Sequence, residues 1–128
     1  MKITLPLTAC IVSVLCLGSV LPAAARQETA QKRCGWLSNP SPGNSYFFDR
    51  DGRWIVGEQG GYQISDADEA RLPAMGRGSS VVDRRGYGYS CTCLDMQVDK
   101  KSRRVVRIAS GSPLPLKTCR ADKRLPKM

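Results

Sequence analysis

The sequence contains no histidine, and this absence removes several classes of catalytic site. A Ser-His-Asp triad, a Cys-His nucleophile pair and a His-Glu-x-x-His metal site all need an imidazole. Aromatic residues are also scarce, with two Trp, four Tyr and two Phe, so we expect most of them to lie in the core. The lack of histidine therefore predicts a protein that is not an enzyme.

Carboxylates are among the remaining side chains that could act as catalytic acids or bases. Asp49, Asp51 and Glu58 are the nominal candidates for a glycan hydrolase that works with a pair of acids. Residues 49–52 also resemble the start of a calcium loop, but the glutamate expected near the end of such a loop is missing. We interpret Asp49 and Asp51 as turn residues that bond local amides, and we predict no catalytic residue, no metal and no cofactor.

The first 25 residues differ from all that follow. Lys2 precedes an apolar run over 3–21, and small residues over 22–25 then present a cleavage site. This order predicts a secretory signal peptide over 1–25, because a transmembrane anchor would need a longer run without Thr, Ser, Gly and Pro. Cys10 lies in a lipoprotein-like box, but the apolar stretch before it is too short. We expect export to the periplasm, with secretion as the alternative, and no membrane span after cleavage.

Basic residues outnumber acidic ones by 20 to 11, which gives a formal net charge of +9. In the cell envelope such a surface would meet lipid phosphates, lipopolysaccharide, acidic glycans or acidic proteins. A solvated face that only keeps the protein soluble is the alternative. Nucleic acid is not an expected partner, because no recognisable binding motif is present. The candidate binding surface consists of Arg84, Arg85, Lys100, Lys101, Arg103, Arg104 and Arg107.

Four of the six cysteines lie beyond the predicted signal peptide, at Cys34, Cys91, Cys93 and Cys119. An even number in a small exported chain indicates disulfides rather than zinc, for which the spacing is poor. Cys91 and Cys93 alternate in a predicted strand, about 6.6 Å apart, which is too far for a bond between them. Each must then join Cys34 or Cys119, and the residues leave open whether Cys34 pairs with Cys91 or with Cys93.

The chain divides into a flexible polar leader over 26–33, a single domain over 34–120 and a frayed basic tail over 121–128. Two β-prone runs, 45–48 and 53–56, flank an Asp-Arg-Asp-Gly turn and predict a hairpin. Gly60–Ile64 is predicted as a further strand after a bulge at paired glycines. Ser65 can cap a short, polar surface helix over 65–72, which Pro73 ends.

The second half of the domain is also predicted as strands. A short strand over 79–83 and a turn at 84–86 lead into a long strand over 87–98, in which Leu94, Met96 and Val98 share an apolar face. After a polar turn, residues 104–108 return with Val106 and Ile108 on that same face. The fold class is therefore mainly β: a small antiparallel sheet or meander with one short helix, cross-linked by two disulfides.

Several motifs in a fixed order resemble a family of small exported proteins of Gram-negative bacteria that has no assigned function. The resemblance implies a periplasmic location, and no catalytic residue can be transferred from it. The motifs are Cys34-Gly35-Trp36 with Asn39-Pro40, Asp49-Arg50-Asp51-Gly52 with Trp54, Gln59-Gly60-Gly61-Tyr62-Gln63, and Tyr87-Gly88-Tyr89-x-Cys91-x-Cys93-Leu94.

These observations favour a non-enzymatic periplasmic domain that binds an anionic envelope component or a protein partner. A carboxylate-based glycan hydrolase is one alternative. An inhibitor of a secreted enzyme such as lysozyme is another, suggested by size, export and disulfides. Lysozymes are usually cationic, and a basic inhibitor would meet them with like charge, which argues against this alternative.

Overall fold

The computed structural model describes residues 28–128, so the predicted signal peptide over 1–25 lies outside the described residues. Six strands and two short helices follow one another along the chain. In order they are β1 (Gln31–Ser41), β2 (Asn44–Asp49), β3 (Gly52–Gly57), α1 (Asp66–Glu69), β4 (Ser80–Val82), β5 (Gly88–Asp99), β6 (Arg104–Pro113) and α2 (Leu116–Ala121).

The strands form one sheet in the order β1-β2-β3-β6-β5-β4, and β1 also pairs with β5. Five strands therefore close into a small barrel, with β4 added at the edge beside β5. β1, β2 and β3 follow one another as hairpin neighbours, and β5 returns to lie beside β1, which is a Greek-key arrangement. The mainly β fold is confirmed. The sheet is antiparallel except at the seam, where Ile55 of β3 pairs in parallel with Arg104 of β6.

The predicted β2–β3 hairpin is confirmed, and its turn has the expected local chemistry. Asp49 Oδ1 accepts a hydrogen bond from the Asp51 amide at 2.8 Å, which holds the chain in the turn. Gly52 follows with a φ of 110°, a value that side-chain-bearing residues rarely adopt. Phe47 and Trp54 are paired across this hairpin, and both side chains are buried.

The interior of the barrel is apolar and draws on all five of its strands. Leu94, Met96 and Val98 point inward together, as the alternation along β5 predicts. Tyr62 and Leu72 cover the cluster from the connection between β3 and β4. The buried members of this core cluster are Leu37, Phe47, Trp54, Val56, Ile64, Leu94, Met96, Val98, Val105 and Ile108.

The prediction that Val106 shares the apolar face is wrong. Val105 is 0% exposed, whereas Val106 is 43% exposed. The register between β5 and β6 shifts between Gln97 and Val98, so that Val106 is left without a partner, and it shifts again between Asp95 and Met96. These bulges displace the two-residue alternation, which is why Val105 and Ile108 face inward although they are three residues apart.

The segment after β3 differs from its prediction. Residues 60–64 do not form a strand of their own, but make a single bridge from Gln63 to Gly57 and a bond from the Ile64 amide to the Val56 carbonyl. The segment therefore lies beside the last residues of β3, after Ile55, which is the residue that pairs with β6. The hydroxyl of Tyr62 donates to the Val105 carbonyl at 2.6 Å and links the segment to β6.

The predicted helix is confirmed as the single turn α1, with Ser65 as its cap. Its Asp68 is buried rather than solvent-exposed. The Asp68 carboxylate accepts hydrogen bonds from the Ser65 hydroxyl at 2.6 Å and from the Ile108 amide at 2.9 Å. The Ser65 hydrogen bond, helped by the Ile108 amide, lowers the pKa of Asp68 despite its burial. Asp68 therefore fixes α1 to the bulged part of β6.

Two disulfides cross-link the barrel, and their pairing resolves the alternative that the sequence leaves open. Cys34 bonds Cys93, its direct partner across β1 and β5, and Cys91 bonds Cys119 of α2. Cys34 is exposed and Cys93 half-buried, whereas Cys91 and Cys119 are both buried. As predicted, alternate cysteines of β5 hold the first strand and the C-terminal segment on one face.

The two ends of the domain are more ordered than the sequence predicts. β1 begins at Gln31, so the predicted flexible leader contributes the first three residues of this strand. At the other end, α2 was not predicted, and the tail after it does not fray. Leu125 packs against a second buried cluster around Trp36, and the Trp36 indole donates to the Pro126 carbonyl at 3.0 Å. In the described part of the chain, neither helix has the length or apolar character needed to cross a bilayer.

Candidate functional site

Two turns rich in basic residues lie at the same end of the barrel. The β2–β3 turn is closed by the pair Asp49 and Gly52, and the β5–β6 turn by the pair Asp99 and Arg104. Because β3 and β6 run in parallel and pair near their starts, the two turns are neighbours. We call their cations the basic end: Arg50, Arg53, Lys100, Lys101, Arg103 and Arg104.

A buried ion pair closes the barrel beneath the basic end. Arg33 Nη1 donates to Asp49 Oδ2 and to Asp51 Oδ2, each at 2.8 Å. Desolvation by burial lowers the pKa of Arg33, but the hydrogen bonds to both carboxylates outweigh it and raise that pKa above the ordinary value. The same Arg33 hydrogen bond lowers the pKa of Asp51. This arrangement holds the β2–β3 turn against β1 and leaves Arg33 fully charged.

Arg103 also has a structural position. It has a φ of 59°, which is uncommon for a residue with a side chain, and it ends the β5–β6 turn. Its side chain donates to the Asp51 carbonyl at 2.8 Å and to the Arg53 carbonyl at 3.2 Å. Its guanidinium carbon lies 3.7 Å from the ring centroid of Trp54. Arg103 therefore joins the two turns, and two of its N–H donors are used within the protein.

Arg53 and Arg104 differ from Arg103 because their side chains are exposed on the outer face of the barrel. The guanidinium of Arg53 lies over the ring of Tyr46, 4.9 Å from its centroid. That of Arg104 lies over the ring of Tyr62, at 4.7 Å. A cation placed on an aromatic face is attracted by the ring quadrupole, which restricts the motion of the side chain. The outer face thus presents two oriented guanidinium groups.

The structure brings together part of the predicted cationic surface and separates the rest. Lys100, Lys101, Arg103 and Arg104 lie at the basic end, where Lys100 pairs with Glu28 at 2.5 Å. Arg84 and Arg85 lie on the β4–β5 turn at the opposite end of β5.

That separation follows from the length of β5. Eleven residue steps of a strand span about 36 Å, so the two groups of cations cannot contact one compact ligand. Arg107 lies farther along β6, where its charge helps to lower the pKa of Asp68. The seven predicted residues are therefore not a single surface.

Arg50 and Arg53 belong to the basic end and were not predicted. A signal for Arg53 was present, because the predicted hairpin alternates and places Arg53 on the face opposite Trp54. The neighbouring β5–β6 turn could not be recognised in the same way. Its position beside the β2–β3 turn depends on the parallel seam between Ile55 and Arg104, and no local pattern reports such a pairing.

The carboxylates that were candidates for hydrolysis have other partners. Asp49 is buried against Arg33, and Asp51 shares the same guanidinium. A general acid at neutral pH needs a raised pKa, but that of Asp51 is lowered. Glu58 follows the far end of β3 and is not part of this cluster. Among the described residues, no group of three His, Cys, Asp or Glu side chains is arranged to hold a metal ion.

Fold and site together define a small disulfide-linked Greek-key barrel with a basic end. The chain matches the family described as Protein of unknown function (DUF4087) over residues 28–126, and it belongs to that family. The resemblance to a family without an assigned function is thereby confirmed. No curated protein and no solved structure matches the chain.

Proposed function

We propose that the protein is an exported, non-enzymatic binding domain whose basic end engages an anionic component of the cell envelope. The observation that carries this proposal is the state of its charges. Among the described residues, no acidic side chain lies within salt-bridge distance of Arg50, Arg53, Lys101 or Arg104, and these four cations lie together at or beside two neighbouring turns. The six cations of the basic end outnumber the acidic residues beside them, which are Glu28, Asp49, Asp51 and Asp99. This excess of positive charge attracts anions over roughly a Debye length, about 8 Å at physiological salt.

The architecture supports the same proposal by analogy. Five-stranded Greek-key barrels of the OB type bind oligosaccharides and oligonucleotides on the face of their second and third strands and at neighbouring loops. Here the corresponding strands are β2 and β3, which carry Tyr46 and Arg53 on their outer face. A shared fold does not by itself assign a function, so the charges remain the main support.

Export is one part of this proposal, and it is supported by the predicted signal peptide and the two disulfides. A predicted signal peptide over 1–25 and two disulfides are both typical of proteins that fold in an oxidising compartment. N-terminal sequencing of the protein recovered from the periplasmic fraction tests this directly. The expected first residue is Arg26. A recovered protein that still carries residues 1–25 would contradict export with cleavage.

Binding is tested with phosphatidylcholine vesicles that contain or lack an anionic phospholipid, and with purified lipopolysaccharide. We expect the mature protein to bind the anionic surfaces, with an affinity that falls as salt rises. The double variant Arg50→Gln/Lys101→Gln should bind several-fold more weakly. Arg84→Gln/Arg85→Gln removes the same charge at the opposite end of β5 and serves as the matched control. Equal loss in both variants would mean that only net charge matters, and would overturn the basic end as the site.

A further inference from the structure

Three adjacent strands place a row of side chains on the outer face of the barrel. Tyr46 of β2 is the partner of Ile55 of β3, and Ile55 is the partner of Arg104 of β6. Arg53 lies two residues before Ile55 and therefore shares its face. Diagonal neighbours on one face have Cα atoms about 7–8 Å apart, so Arg53 and Arg104 lie within reach of one ligand and flank Ile55.

Each of these arginines is held in place by a tyrosine. Arg53 lies on Tyr46 and Arg104 on Tyr62, with guanidinium carbons 4.9 and 4.7 Å from the ring centroids. Stacking occupies one flat side of a guanidinium and leaves its N–H edge free to donate. The Tyr62 ring is itself fixed, because its hydroxyl donates to the Val105 carbonyl. A ligand would therefore find donors whose rotamer freedom is already reduced, which lowers the entropy lost on binding.

The donor edges of both arginines are also unoccupied by protein acceptors. Side chains of Arg33, Arg71, Arg85, Arg103 and Arg124 all donate to carboxylates or carbonyls of the protein. Within residues 28–128, the side chains of Arg53 and Arg104 donate no such hydrogen bond. Both residues are also exposed, so a ligand can reach them. These two residues thus combine a fixed orientation with unused donors.

The chemistry of the arginine side chain indicates which anion fits. A guanidinium presents parallel N–H donors in a rigid fork that matches two oxygens of one phosphate, whereas the ammonium of lysine acts as a point charge. We propose that Arg53 and Arg104 form a phosphate-binding site, which takes a phosphate-bearing ligand across Ile55. This inference rests on the proposed function and names the anionic group that the basic end recognises.

The test replaces both arginines without changing the charge. Arg53→Lys/Arg104→Lys keeps two cations but removes both forks, and Arg84→Lys at the opposite end of β5 is the control. Phosphatidylcholine vesicles carry either phosphatidic acid or a fatty acid, in proportions that give both preparations the same measured zeta potential, because a phosphate monoester carries more charge than a carboxylate. Added phosphate monoester and carboxylate groups are thereby compared at equal surface charge. We expect the double variant to lose about tenfold in affinity for the phosphate vesicles, the equivalent of about 1.4 kcal/mol, and little for the carboxylate vesicles.

Isothermal titration with inorganic phosphate and pyrophosphate identifies the source of the phosphate. Tight, Arg-dependent binding of these soluble anions without vesicle binding would assign the site to free phosphates, and binding to vesicles that pyrophosphate displaces would assign it to a headgroup. Both results support the phosphate site. Wild-type affinities in the double variant would overturn it while leaving the proposed function intact. If the wild-type protein binds none of the vesicles, the lipopolysaccharide and the soluble phosphates, the proposed function itself is overturned. Unchanged far-UV circular dichroism confirms that the variants are folded.

Discussion

The guanidinium of Arg103 lies on the ring of Trp54, at 3.7 Å from the centroid, while Arg33 lies over the same ring at 4.8 Å. The indole is thus in contact with one cation from the β5–β6 turn and another from β1. Because Arg33 is also paired with Asp49 and Asp51, the turns at this end of the barrel are joined to the core through a few charged groups. Both turns that carry the basic end are therefore anchored to the core of the barrel.

Replacing Arg103 by Gln should destabilise the protein by about 1–2 kcal/mol, because it removes the stacking on Trp54 and two hydrogen bonds to turn carbonyls. Chemical denaturation measured by circular dichroism gives the free energy of unfolding. The control is Lys101→Gln in the same turn, which removes an exposed charge and should change stability by less than about 0.5 kcal/mol. Equal effects of the two changes would show that Arg103 does not join the turns.

Asp68 gives the protein a specific sensitivity to acid. The Ser65 hydrogen bond and the Ile108 amide lower its folded-state pKa below the unfolded value of 3.8. Its contribution to stability is therefore complete above about pH 4 and is lost as the pH falls through the lower, folded-state pKa. Unfolding free energies measured between pH 6 and pH 2 should fall less steeply for Asp68→Asn than for the wild type. Equal slopes for the variant and the wild type would show that Asp68 does not cause this sensitivity to acid.

The bulges of β6 are tested by a matched pair of neighbours. Val105→Ala removes two methyl groups from the core and should cost about 1–3 kcal/mol, whereas Val106→Ala alters an exposed side chain and should change stability little. Thermal or chemical denaturation of both variants measures the difference. Strict alternation along β6 would require the opposite order, with Val106 the more sensitive position.

The two disulfides should differ in how readily they are reduced. Cys34 is exposed and Cys93 half-buried, whereas Cys91 and Cys119 are buried in the second core cluster. A thiol reductant needs access to a sulfur atom, so mild reduction of the folded protein should open the Cys34–Cys93 bond first. Alkylation followed by peptide mass spectrometry identifies the released thiols. Simultaneous release of all four would show that reduction follows global unfolding instead.

The parts of the fold that the residues predict are those determined by neighbours along the chain. The β2–β3 hairpin, the Ser65 cap and the alternation of β5 all arise from patterns within a dozen residues. The position of Val106 could not be predicted, because a bulge depends on the register with the opposite strand.

The same distinction applies to the candidate site. Lys100 to Arg104 is a visible cluster of charge, but its separation from Arg84 follows from the length and direction of β5. The role of Arg103 could not be read from its charge either. That role depends on a long-range contact with Trp54, which forms only when the seam between β3 and β6 closes the barrel.

The two sulfur bridges overlap along the chain, because Cys91 lies between Cys34 and Cys93, and Cys93 lies between Cys91 and Cys119. Every peptide bond from residue 34 to residue 119 is thus enclosed by at least one bridge. A protease that cuts once anywhere in this interval would leave both fragments covalently attached to each other. Such a nicked molecule would keep its fragments together until the bridge that spans the cut is reduced.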